Sequence, residues 1–131
     1  MNWYEKAQEN LKIIQEDLPD RTRLHLMDEN KDKEVGKLTI QIFPYDKYYY
    51  ATAFFIDADY RGQGWGRKMM KQMTSLPRFQ DRPIILNPEP YGGNIGSDEY
   101  NQEIEDLKKM YRKLGFENDV DNWMIYKGKN R

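Results

Sequence analysis

Residues 59–73 read DYRGQGWGRKMMKQM. Gly62, Gly64 and Gly66 alternate with other residues, directly after an aromatic-rich run and directly before residues with helical spacing. A loop that leaves a strand and enters a helix presents unpaired backbone N–H groups and the positive end of the helix dipole, which together suit phosphate oxygens. Spacing narrows the choice of phosphate loop. A Rossmann fingerprint needs G-x-G-x-x-G, but counting from Gly62 and Gly64 reaches Arg67, and from Gly64 and Gly66 reaches Met69. A Walker loop needs Gly-Lys-Ser/Thr, and no such triplet occurs.

Upstream, Lys47 to Asp57 (KYYYATAFFID) carries aromatic and apolar residues on both alternating faces, as a central strand does. Downstream, Trp65, Met69, Met73 and Leu76 repeat at helical spacing until Pro77, and Arg82 to Asn87 (RPIILN) is a short apolar run that suits a buried parallel strand. Strand, glycine loop, helix and strand make a βαβ unit with a right-handed crossover. Glu34 to Phe43 alternates as a strand with Leu38, Ile40 and Ile42 on one side, and Arg23 to Glu29 is a shorter strand candidate. Trp3, Ala7, Leu11, Ile14 and Leu18 fall on one helical stripe, which predicts a first helix ending near Pro19. After the loop PEPYGGNIGS, Ser97 or Asp98 can cap a helix bearing Tyr100, Ile104, Leu107, Tyr111 and Leu114, with Gly115 at its stop; Asn122 to Lys127 is a final strand.

The pattern Arg61-x-x-Gly64-x-Gly66 resembles the R/Q-x-x-G-x-G/A signature of the GNAT superfamily of N-acetyltransferases. A second stretch, YRKLGF from Tyr111 to Phe116, is similar to that family's Tyr-(x)-Leu-Gly-Phe ending of a later helix, and it follows in the expected order. The likeness runs from about Leu38 to Tyr126. It implies an α/β GNAT fold: a mixed, mostly antiparallel sheet with a splayed parallel strand pair and helices on both faces, here as a single domain over 1–131. It also implies acetyl-coenzyme A as cosubstrate. Arg61, Gly62, Gln63, Gly64, Trp65, Gly66 and Arg67 would surround the pyrophosphate, and the backbone of Phe55, Ile56 and Asp57 would hold the pantetheine arm. Ala58 stands where the family often has proline, and Ile104 where many members have asparagine.

Acetyl transfer to an amine needs a deprotonated nucleophile, a stabilised oxyanion and a proton for the departing thiolate. The resemblance makes Tyr111 that proton donor. Glu89, after the second parallel strand and before a glycine-rich loop, is the nominated general base, with Asp57 and Glu29 as rivals; His25 lies in a strand far from the motif and reads as packed or surface histidine.

Composition removes other classes. With 131 residues, the chain suits one compact core. Its 21 basic and 22 acidic residues cancel, which argues against a broad grip on nucleic acid or anionic lipid. Lacking cysteine and holding one histidine, it offers no thiolate zinc site, and no metal is expected. No leader or membrane span is read, so the expected location is the cytoplasm. The family's habit of pairing makes a homodimer the corresponding expectation. The reading is thus an acetyl-coenzyme A dependent transferase acting on a primary amine of a small molecule, peptide or protein. The alternative is a noncatalytic GNAT-fold module that binds an acyl-coenzyme A or a protein partner.

Overall fold

A computed structural model describes residues 10–88 and 98–128. Its frame is one seven-stranded sheet: β1 (Leu11–Leu18), β2 (Arg21–Asp28), β3 (Lys33–Gln41), β4 (Tyr49–Ile56), β5 (Ile84–Leu86), β6 (Glu117–Asn118) and β7 (Met124–Tyr126). The spatial order is β1-β2-β3-β4-β5-β7-β6, and only β4 and β5 pair in parallel. Two helices complete the described fold, α1 (Trp65–Ser75) and α2 (Asp98–Lys113).

The first element differs from the helix that the stripe predicts. Leu11–Leu18 is a strand, paired residue for residue with β2 from Leu11↔Asp28 to Leu18↔Arg21; Trp3 and Ala7 lie outside the described residues. The reason is tertiary. Pro19 and Asp20 make a tight turn, β2 supplies a continuous ladder, and Leu11 and Ile13 then share the core-side face. Ile14, an inner position on the helical reading, is 45% exposed instead.

α1 covers one sheet face. Met69, Met70 and Met73 are fully buried against Leu24, Leu26, Leu38 and Ile40, so the sequence alternation of β2 and β3 delivers one continuous apolar surface to the helix stripe. On the other face, His25 sits between two carboxylates: its Nδ1 meets Glu34 Oε1 and its Nε2 lies 3.1 Å from Glu16 Oε1. This hydrogen bond holds the Glu16 carboxyl below the ordinary carboxylate range. His25 is therefore a cross-strand tie, in line with its sequence reading.

Candidate functional site

β4 and β5 pair only at Tyr49↔Ile84 and Tyr50↔Ile85, so the strands separate beyond Tyr50. Among the described residues, the remainder of β4, to Ile56, pairs with β3 alone. Asp57 N–H donates to the Val35 carbonyl at 2.8 Å. Because backbone groups alternate between edges, the amides of Phe55 and Asp57 point toward β3 and that of Ile56 points into the gap. Of the three backbone positions expected to meet a ligand, Ile56 is the one whose N–H faces outward. Its carbonyl accepts a hydrogen bond from Arg61 Nε at 2.7 Å, which folds the loop back on the strand end.

The glycine loop begins with a short turn, Ala58–Tyr60, and reaches α1 through Gly62 and Gly64 at φ +78° and +87°. Those two need glycine because other residues are strained at such angles. Gly66 needs it for another reason: a Cβ there would lie 3.2 Å from the Phe54 ring and 3.3 Å from Ile56 Cδ1. Helix α1 thus starts in contact with β4, beside the gap. No side chain caps it and its first turn has no acidic residue, so its leading amides and dipole are directed outward without competition. Arg61 and Arg67 are exposed and Gln63 is half-buried. Trp65 is a core residue, as its place on the Met69 and Met73 stripe predicts; its Nε1 is buried without a hydrogen-bond partner, and Lys68 Nζ stands 4.5 Å over the ring.

The second motif reaches the same strand. In YRKLGF, Phe116 N–H donates to the Tyr111 carbonyl and Gly115 N–H to the Arg112 carbonyl, both at 3.0 Å, with Gly115 at φ +101°. This is a Schellman stop, with its usual apolar contact supplied by the Tyr111 and Phe116 rings at 5.7 Å. The stop fixes Tyr111 at the end of α2, where its ring lies 6.2 Å from Phe54. Tyr111 is 6% exposed, and burial pushes its phenol above the ordinary tyrosine range, so it stays protonated at neutral pH.

The two motifs therefore converge on one side chain, Phe54, which the sequence reading passed over for Phe55. Period-two alternation carried the signal, since Phe54 and Ile56 share the face that α1 touches. Tyr60 was also passed over: its hydroxyl lies 2.5 Å from Asp28 Oδ2 and ties the loop to the end of β2. No local spacing reveals a contact between positions so far apart in sequence. Glu89 lies outside the described residues, as do Ser97 and most of the preceding loop. Glu29, a rival for the base, is an exposed partner of Lys12 at 4.0 Å. No described helix is long and apolar enough to cross a membrane.

Comparison with known proteins bears on family and fold. Residues 20–118 match the acetyltransferase (GNAT) domain family. The Bacillus subtilis (strain 168) protein YjbC is 29% identical over 121 residues, covering 88% of this chain and 57% of YjbC. Among solved structures, an acetoin utilization protein from Exiguobacterium sibiricum 255-15 superposes with a TM-score of 0.64 at 18% identity, over 86% of this chain and 63% of that one. The PaiA N-acetyltransferase from Thermoplasma acidophilum, solved in complex with coenzyme A, superposes with a TM-score of 0.54 at 11% identity, over 81% and 59%. The chain thus spans little more than half of the curated relative and under two thirds of either structure.

Proposed function

This chain belongs to the GNAT acetyltransferase family, and on that premise we propose that it moves the acetyl group of acetyl-coenzyme A to a primary amine. The observation that carries the reading is the convergence of both motifs on Phe54 at the open edge of β4. On one side stand the uncapped amides of α1, suited to a pyrophosphate. On the other stands a protonated phenol, and between them lies a strand edge able to pair with an amide-bearing arm.

In this reading Gly62 to Gly66 hold the diphosphate through backbone N–H groups, with Arg61, Gln63 and Arg67 around it and Trp65 anchoring the helix start. Ile56 N–H pairs with the pantetheine arm. The acceptor nitrogen attacks the thioester carbonyl carbon, the C–S bond breaks, and Tyr111 O–H supplies the proton that the departing sulfur takes up. Glu89 is proposed to remove the proton from the amine, directly or through water. Because burial keeps Tyr111 protonated, its own ionisation would limit turnover only well above the ordinary tyrosine value of about 10.

Calorimetric titration with acetyl-coenzyme A, followed by thiol release against a panel of amines, tests this. Binding together with turnover that falls by about 100-fold or more in Tyr111→Phe is the expected result, in the range of a lost general acid. Absence of binding overturns the reading. Tight binding with no amine acetylated favours the noncatalytic module.

A further inference from the structure

Arg61 Nε donates to the Ile56 carbonyl at 2.7 Å, and that carbonyl is a group through which a strand-like ligand would pair. Gly36↔Ile56 and Lys37↔Phe55 share one register, which the bond from Asp57 N–H to the Val35 carbonyl extends. Phe55 and Asp57 therefore bond to β3, and both the N–H and the C=O of Ile56 turn away from it. The guanidinium stands on that outward side.

A ligand pairing with β4 lies about 4.8 Å from it, the spacing of neighbouring strands. A nitrogen 2.7 Å from the carbonyl oxygen fills the same corridor, so the pantetheine arm and the guanidinium exclude each other. The guanidinium is also lightly held. Arg78 grips the Leu18 and Pro19 carbonyls and the Thr22 hydroxyl, and Arg82 the Phe43 and Pro44 carbonyls. Among the described residues Arg61 makes one side-chain bond, to Ile56, and pairs with no carboxylate. Its charge is left for an anion, and the next residue, Gly62, enters the loop whose amides suit a diphosphate.

We propose that Arg61 makes this chain select an acetyl donor that carries a diphosphate. Its guanidinium covers the Ile56 carbonyl until a diphosphate on the Gly62 to Gly66 amides draws it away into charge-assisted hydrogen bonds with phosphate oxygens. The edge of β4 then accepts the pantetheine arm. This rests on the acetyl-coenzyme A reading above. A thioester without a diphosphate must displace the guanidinium unaided, and its apparent affinity falls with the fraction of molecules whose carbonyl is covered. One hydrogen bond from a charged group corresponds to about 10- to 100-fold.

Steady-state acetylation of one accepted amine tests it, with acetyl-coenzyme A and with S-acetylpantetheine as donors, each with and without ADP. S-acetylpantetheine keeps the thioester and the arm but lacks the diphosphate; ADP supplies a diphosphate without the arm. In the parent, ADP should lower the KM for S-acetylpantetheine by about tenfold or more. Arg61→Leu should use S-acetylpantetheine about tenfold better than the parent and lose the response to ADP. An arginine that merely supports the loop would instead lower the use of both donors. The ADP measurement on the parent needs no variant, so it decides even where Arg61→Leu folds poorly. S-acetylpantetheine turnover that ADP leaves unmoved in the parent, or that falls in Arg61→Leu together with acetyl-coenzyme A turnover, overturns the proposal and leaves the transferase reading standing. A parent that neither binds acetyl-coenzyme A nor uses either donor overturns both.

Discussion

The two ends of β4 are made of similar aromatic and aliphatic residues and are finished in opposite ways. At the Tyr49 end the strand is closed by side chains. Tyr49 N–H donates to Pro83, its ring meets Phe79 edge-on at 4.9 Å, its hydroxyl lies 2.5 Å from Asp81 Oδ1, and Arg82 stands 4.8 Å over the ring. At the Ile56 end the neighbouring strand has gone, and among the described residues closure falls to a glycine loop, an arginine on a carbonyl and one tilted tyrosine. The first end spends its contacts on holding the βαβ unit together. The second leaves backbone groups and a helix terminus for something else to meet. Under the proposed function, the same strand separates stability from binding along its length.

That separation can be broken most severely at the closed end. Tyr49→Ala removes a buried aromatic with ring and hydroxyl contacts, so a loss of about 3–5 kcal/mol is expected, measured by urea unfolding. Acetyl-coenzyme A affinity of the protein that remains folded should stay within about threefold, a shift of well under 1 kcal/mol. A large loss of affinity would mean that the ends are coupled, and the contrast fails.

At the open end the balance should reverse. Gly66→Val forces a side chain into the Phe54 ring and Ile56, for which overpacking costs about 1–3 kcal/mol. Because α1 must shift away from β4 to make room, affinity for acetyl-coenzyme A should fall by more than the Tyr49 variant lowers it, read by calorimetry. Gly64→Ala introduces no clash but places a Cβ at φ +87°, a strain of about 1–2 kcal/mol. If Gly64→Ala weakens binding as much as Gly66→Val, loop conformation rather than helix position controls the site.

How much of this was legible in the sequence follows the same division. Glycine positions, the Tyr111 to Phe116 stop and the central strand depend on nearest neighbours in the chain, and the residues that carry them state their own reasons. β1 was not legible, because Leu11, Ile14 and Leu18 satisfy a helical spacing, and only the ladder with β2 makes the segment a strand, which puts Ile14 on the face opposite Leu11. The expected grip of Phe55 and Asp57 also depended on an edge: Asp57 N–H is turned to Val35 by the register of β3, which no local pattern specifies. The tie between Tyr60 and Asp28 joins the loop to a different hairpin, and sequence alone contains no trace of it.

That tie yields the smallest effect and the sharpest discrimination. The Tyr60 hydroxyl holds the Asp28 carboxyl below the ordinary range, helped by the backbone N–H groups of Asn30 and Lys31 at 3.0 and 3.2 Å, while Asp28 in turn raises the Tyr60 phenol. For the carboxylate, a lowered folded pKa means stability that is complete above the ordinary value of about 3.9 and is lost as pH falls through the folded one. For the phenol, a raised folded pKa means stability that is complete below about 10 and is lost as pH rises through the folded one. The loop is therefore tied throughout the neutral range and released at both extremes. Tyr60→Phe should cost about 0.5–1.5 kcal/mol at neutral pH, the worth of one hydrogen bond, and should flatten the acid limb of the unfolding midpoint. Tyr49→Phe, with its hydroxyl also on a carboxylate, is the matched control at the closed end. If Tyr60→Phe weakens acetyl-coenzyme A binding and Tyr49→Phe does not, the tie positions the phosphate loop; equal effects on binding would show that it serves the fold alone.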